Sequence, residues 1–210
     1  MSQRVNRRLR TSVAVGLATT LGLAACQAVD EPRTVAANGA EVCGTPVEPP
    51  EQTYFVGTGE VYQPSYQIGG AVQRFVNEGR DDHGIRLSVQ STEGPVVNET
   101  AILSGELAFG FVPAVGPTSE NPEIRSLFTV RRIPYADETL ITSEEVPDYV
   151  VCEVVRSVFE DLDSFRRFHP VLVSLDAENM VEDVFAAPLH PGALRYFDAV
   201  SLPVPERLRT

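Results

Sequence analysis

The fold is decided by residues 53–112, which read TYFVGTGEVYQPSYQIGGAVQRFVNEGRDDHGIRLSVQSTEGPVVNETAILSGELAFGFV. Three β-rich runs alternate here with two segments of helical periodicity. The strands are predicted at 53–57, 85–90 and 107–112, and the helices at 64–77 and 95–103. This order indicates βαβ units and a largely parallel sheet. Ligands of such sheets bind beyond the carboxyl ends of the strands, so we expect the loops at 57–66 and 91–98 to form one mouth.

The second half of the chain continues the α/β pattern after an aperiodic stretch at 113–127. The helix at 147–162 has the clearest pattern, because its valines and phenylalanines form one apolar stripe that should pack on the sheet. The remaining predicted elements are strands at 128–133 and 139–142, short helices at 164–168, 177–181 and 188–197, and a loose tail at 199–210.

Composition limits the classes of function. The chain of 210 residues has a formal charge of −12, and its 17 cationic residues are all arginine. Such an acidic chain repels a phosphate backbone, so nucleic acid is not an expected partner. Three cysteines are too few for a disulfide-dense miniature fold.

The first 26 residues have the pattern of a bacterial secretory signal, with an arginine-rich start, a short apolar run and small residues before Cys26. Leu23-Ala24-Ala25-Cys26 resembles a lipobox, in which the cysteine carries the lipid that anchors the mature protein. We therefore expect a signal peptide at 1–25, lipidation of Cys26, and a location on the periplasmic side of the cell envelope. The alternative is a plain cleaved signal in which Cys26 has no role.

Residues 26–52 contain scattered prolines and no periodic pattern, which predicts a flexible tether. Once Cys26 is lipidated, Cys43 and Cys152 remain as an even pair in an oxidising compartment. A disulfide between them would join the tether to the domain. Two separate thiols are equally compatible with the sequence, because Cys152 lies in an apolar helical pattern.

No catalytic motif stands out. Gly57-Thr58-Gly59 lacks the lysine and the spacing of a phosphate-binding loop. His83, His169 and His190 have no partners at metal-ligand spacing, and we interpret them as loop or capping residues. We therefore expect neither an enzyme, nor a cofactor, nor a metal site.

Several motifs together carry a resemblance. In the first half they are Gly57-Thr58-Gly59 with Tyr66 and Gly69, Thr92-Glu93-Gly94 with Asn98, and Ser104-Gly105-Glu106; in the second half they are 159–162, His169-Pro170 and, most specifically, Ala187-Pro188-Leu189-His190-Pro191-Gly192-Ala193-Leu194-Arg195-Tyr196. These segments resemble the TAXI solute-binding proteins of TRAP transporters. That family implies two α/β lobes, the second inserted into the first. Here the roughly fifteen residues at 113–127 are too few for a lobe, since one βαβ unit needs ~30 residues.

The resemblance therefore implies a single three-layer αβα lobe at 53–198, like one lobe of a type II periplasmic binding protein. It also implies a lipoprotein that presents a small organic anion, an amino acid or a dicarboxylate, to a TRAP-type permease or a membrane sensor. The ligand-binding residues carried over from the motifs are Thr58, Gly59, Tyr66, Thr92, Gly94 and Asn98.

Two departures from the family affect that mouth. Tyr62-Gln63 replaces a Gly-Gly pair, and Pro95 replaces a serine, which removes one N–H donor. Turn and capping roles for Thr58 and Asn98 remain open as alternatives. Two alternatives also remain open for the function of the whole protein. It could be an interaction lipoprotein that has lost its ligand and docks on a membrane partner, or a decayed fragment without a function.

Overall fold

A sheet of five strands runs through the part of the chain that the computed structural model describes, namely residues 39–44, 52–114, 121–131, 136–184 and 186–209. The strands are β1 Gln52–Gly57, β2 Ile85–Gln90, β3 Phe109–Pro113, β4 Ile124–Val130 and β5 Glu138–Ser143. The helices are α1 Gly39–Val42, α2 Pro64–Glu78, α3 Arg80–His83, α4 Pro95–Leu103, α5 Asp148–Phe159, α6 Leu162–Phe168, α7 Ala177–Glu182 and α8 Pro191–Ala199, with 3-10 turns at Pro170–Leu172 and Glu206–Leu208.

The strand order is β2-β1-β3-β5-β4. Strand β1 pairs in parallel with β2 and β3, whereas β5 lies antiparallel between β3 and β4. All strands except β5 therefore run in the same direction, and the predicted single α/β lobe with a mostly parallel sheet is confirmed. Strand β4 begins at Ile124, four residues before the predicted start at 128.

Apolar side chains cover both faces of the sheet. The larger cluster joins the sheet to α2, α5 and α8, and a smaller one lies under α4 around Ile102, Leu107 and Ile124. The neighbours Leu140 and Ile141 on β5 belong to different clusters, because successive side chains of a strand point to opposite faces. The lobe thus has three layers.

The valine-rich helix packs as the periodicity predicts. Its side chains from Val150 to Val155, and Val158, are buried. The helix α5 ends at Phe159 and not at 162, because Asp161 caps the next helix by accepting a hydrogen bond from the Ser164 N–H at 3.1 Å.

A disulfide joins Cys43 to Cys152, with a Cα–Cα distance of 5.4 Å across 109 positions of sequence. Cys43 is buried, and its carbonyl accepts a hydrogen bond from Arg195 at 3.2 Å. Residues 39–44 are therefore part of the lobe, in contrast to the flexible tether predicted for 26–52. The sequence left this disulfide open beside two separate thiols, and the structure has the disulfide. The packing of the rest of the segment was not predictable, because it has no apolar period of its own.

The predicted loose tail at 199–210 also packs on the lobe as far as Arg209. Leu208 is buried, and its carbonyl accepts the Leu189 N–H at 2.9 Å. Leu202 and Val204 contact the larger cluster. Prolines interrupt any period here, so the anchoring leucines were not recognisable from the sequence.

The predicted signal peptide at 1–25, the lipidation site Cys26 and the first part of the tether lie outside the described residues. Within the described ranges, no helix has both the length and the apolar character needed to cross a membrane.

Candidate functional site

The predicted mouth lies where β1 and β2 end side by side. Gly57 and Gln90 are paired in register, so the chain leaves both strands at the same edge. The Thr58 N–H and hydroxyl both donate to the Gln90 carbonyl, at 3.1 and 2.9 Å. The Ser91 hydroxyl donates to the Gly59 carbonyl at 3.2 Å. These bonds bring the loops before α2 and α4 together.

Asn98 is the centre of this junction. Its side chain is fully buried, and its Nδ2 donates to the carbonyls of Thr58 and Phe111, both at 2.9 Å. One amide therefore connects α4 to the end of β1 and to β3. A buried carbonyl without a partner is costly, so this amide stabilises the local fold.

Thr92 completes the network. Its hydroxyl lies 2.6 Å from the Thr58 carbonyl and 2.7 Å from Asn98 Oδ1, and it accepts the Gly94 N–H at 3.2 Å. A hydroxyl has a single proton, so it donates to one of the two oxygens at a time. The side chains of Thr58, Thr92 and Asn98 are thus occupied by bonds within the lobe.

Glycines make this close packing feasible. A Cβ on Gly57 would overlap the Asn98 carboxamide, and one on Gly110 would lie 2.9 Å from Asn98 Cβ. Gly94 has φ of 116°, a backbone conformation that favours glycine, just before α4 begins. Gly57 and Gly110 leave the space that the Asn98 side chain occupies, but they lie far from it in the sequence, so this close approach is recognisable only in the folded structure.

The other two predicted ligand-binding residues differ in accessibility. Gly59 is buried, and the Gln63 side chain lies directly over it. Tyr66 is partly exposed in the first turn of α2, and its hydroxyl has no hydrogen bond to another described residue. Of the predicted side chains, Tyr66 is therefore the one available to a ligand.

Backbone N–H groups are the remaining donors at the mouth. The first N–H groups of a helix have no acceptor within it and carry partial positive charge. Both α2 and α4 begin with proline, so the donors start at Ser65 and Val96. The segments 57–70 and 90–106 contain no arginine, so a bound anion would have no cationic side chain from them.

The surface of the mouth is apolar and acidic. Val61 is 57% exposed, Tyr62 78% and Val96 79%. Glu60 and Glu93 are exposed in the same two loops. Large exposed apolar side chains grouped at one edge are typical of a surface that contacts something else.

The C-terminal motif has a structural role. The Ser126 N–H donates to the Pro188 carbonyl and the His190 N–H to the Ser126 carbonyl, at 2.8 and 2.9 Å. A Cβ on Gly192 would overlap the Asp148 backbone, so α8 can start directly against α5 only with glycine there. The motif therefore locks α8 to the rest of the lobe.

Each of the three histidines caps a turn, in agreement with their interpretation as loop or capping residues. Nδ1 of His83, His169 and His190 accepts the N–H two residues further on, at 3.1, 3.2 and 3.0 Å. Burial lowers the pKa of His83 and of His190. In the described part of the chain, no three metal-binding side chains come together.

A second groove lies at the opposite end of the strands from the mouth, near the start of β1. It has a volume of about 570 Å³ and is lined by residues of five chain segments, 52–55, 102–108, 123, 143 and 145–147. Sequence reasoning missed it, because these segments are distant in the chain and carry no motif.

Comparison with known proteins adds one similarity, over the second half of the lobe. None of the curated proteins matches the chain. Residues 136–199, from just before β5 to the end of α8, match the NMT1-like family. The match covers well under half of the chain and includes the motif that locks α8. This family is periplasmic binding protein-like, in agreement with the α/β lobe described above.

Proposed function

We propose that the chain is a one-lobed, TAXI-like solute-binding lipoprotein. It presents a small organic anion, an amino acid or a dicarboxylate, to a TRAP-type permease or a membrane sensor. It acts by binding and not by catalysis, from the periplasmic side of the envelope, with lipid on Cys26. The observation that carries the proposal is the mouth, where two helix starts lie at the joined ends of two parallel strands.

The helix starts supply the attraction for the anion. Ser65 and Val96 are the first residues with an N–H in α2 and α4, and helix N-termini favour negative charge. From residue 26 onward the chain has 13 arginines and 29 acidic residues, and this net charge of −16 opposes the attraction. At physiological salt, however, charges are screened over ~8 Å. The local N–H groups therefore dominate at contact distance.

Affinity is expected to be weak. Good small-molecule sites bury ~70–90% of the ligand, whereas a single lobe contacts about one side of it. We expect a dissociation constant in the high micromolar range or above. A permease or sensor that covers the exposed side would strengthen the binding.

Calorimetry tests the proposal directly. A Cys26→Ser chain that starts at residue 26 is titrated with glutamate, succinate and other amino acids and dicarboxylates. The Pro95→Ser variant restores an N–H at the first position of α4 and should bind the anion several-fold more tightly. Pro191→Ser makes the same change at the start of α8, outside the mouth, and should leave the affinity unchanged.

The outcomes are distinct. Weak saturable binding that Pro95→Ser strengthens supports the proposal. Submicromolar binding by a monomer contradicts the one-lobe account. A folded chain that binds no anion, even as Pro95→Ser, contradicts the solute-binding role.

The second candidate is an interaction lipoprotein that docks on a membrane partner without a small ligand. The exposed Val61, Tyr62 and Val96 favour it, because they form an uncovered apolar surface at the mouth. Tyr62→Ser should then weaken the association with the partner while the free energy of unfolding stays within ~0.5 kcal/mol, as expected for a surface change.

A further inference from the structure

We propose that the groove at the start of β1 docks a cationic, partly apolar segment of a partner protein. We call it the amino-end groove and define it by the residues that line it: Gln52–Phe55 as the β1 wall, Ile102–Ala108 as the α4 wall, and Glu123, Ser143, Glu145, Val146 and Pro147 as the turn wall. This site is separate from the mouth and goes beyond the proposed function.

The walls of the amino-end groove are held in place by hydrogen bonds. The Ala108 N–H donates to the Phe55 carbonyl at 3.0 Å, which joins the α4 wall to the β1 wall. The Thr142 hydroxyl donates to the Ala108 carbonyl at 2.7 Å. The N–H of Glu144, which lies between Ser143 and Glu145, donates to the Glu123 carbonyl at 2.8 Å and so holds the turn wall together. The groove is thus preformed, which lowers the entropic cost of docking.

Apolar side chains in the groove remain accessible to a partner. Phe55 is 42% exposed and Leu103 is 38% exposed. An accessible aromatic ring and an accessible aliphatic side chain in the same groove give a partner's apolar residues surface to bury.

The charge of the groove identifies the occupant. The exposed Glu106, Glu123 and Glu145 line it, and no arginine or histidine is among its lining residues. No ion pair to another described residue involves any of these three carboxylates. The carbonyl end of α4 adds partial negative charge at Leu103.

The size of the groove, about 570 Å³, favours a peptide segment over a single small cation. Glu106 follows α4, Glu123 precedes β4 and Glu145 follows β5, so each belongs to a different part of the chain. An occupant that pairs with all three carries several cations along its length. A second copy of this acidic chain would bring like charges together, which is unfavourable.

The test uses a labelled hexapeptide amide in which three arginines alternate with leucine, phenylalanine and glycine. Binding is measured by fluorescence anisotropy at low salt with the native chain. A triple variant, Glu106→Gln, Glu123→Gln and Glu145→Gln, should bind at least tenfold more weakly. The control triple Asp81→Asn, Glu178→Gln and Glu182→Gln changes the net charge equally at exposed positions outside the groove, and should change the affinity less than twofold.

The apolar half of the proposal is tested with Leu103→Ser, which should weaken peptide binding several-fold. Val173→Ser, at a position 72% exposed outside the groove, is its control and should have no effect. Thermal melts check that each variant is folded. Equal loss of affinity in both triple variants would overturn the proposal, because the attraction would then be non-specific. The proposal would also be overturned if the peptide showed no saturable binding, or if arginine amide alone bound as tightly as the peptide.

Discussion

Replacing Asn98 by alanine should destabilise the lobe by about 2–4 kcal/mol. The Phe111 carbonyl loses its Asn98 partner, and an unpaired buried carbonyl costs about 1–3 kcal/mol. The Thr58 carbonyl keeps the Thr92 hydroxyl at 2.6 Å, so the second lost bond adds only about 1 kcal/mol. The space left by the side chain adds a smaller cost, because the site is fully buried.

Urea unfolding followed by circular dichroism measures this change. In a lobe of this size it corresponds to a fall in melting temperature of about 4–16 °C. Asn98→Asp should be worse than alanine, because it places a carboxylate oxygen against two carbonyls. Val96→Ala, 79% exposed on the same helix, is the control and should stay within ~0.5 kcal/mol. An unchanged unfolding free energy in Asn98→Ala, together with lost anion binding, would show that Asn98 is a ligand donor and refute the structural role.

Three further changes test the rest of the lobe. The double variant Cys43→Ala, Cys152→Ala should lose ~2–4 kcal/mol of unfolding free energy, because the unfolded chain is no longer closed into a long loop. The unmutated protein, unfolded without reductant, should show no free thiol from this pair. Gly192→Ala should destabilise by more than ~2 kcal/mol in urea unfolding, because its Cβ would overlap the Asp148 backbone. Burial lowers the pKa of His190 below its unfolded value, so stability should be full above pH ~6.5 and fall as the pH drops below it, a slope that His190→Gln should reduce.

The α/β lobe was predictable because strand and helix periods alternate regularly through 53–112. The helix α5 was predictable for the same reason, since its valines repeat at helical spacing. The spacing of apolar residues along the sequence was sufficient to predict these elements. The two end segments have no period, so their packing was not predictable in full. The Cys43–Cys152 disulfide was one of two alternatives for those cysteines, whereas nothing in the sequence marked Leu208 as an anchoring residue.

The sequence was sufficient to predict where the candidate site lies, but not what its side chains bind. The strand ends bring Thr58, Thr92 and Asn98 together as expected, but spacing cannot show whether a polar group faces a ligand or a carbonyl of its own chain. That depends on distances of a few ångströms between α4, β1 and β3. The flanking Gly57 and Gly110 indicate the close approach only once the fold is known.

The most direct test of the account is an NMR titration of the ¹⁵N-labelled chain with a dicarboxylate. The account predicts that the amide signals of Ser65, Val96 and Val97 shift progressively with a dissociation constant in the high micromolar range or above. The Asn98 side-chain amide signals should move little, because both protons are held by carbonyls within the lobe. Shifts confined to residues away from the mouth, or none at saturating anion, would contradict a solute site at the two helix starts.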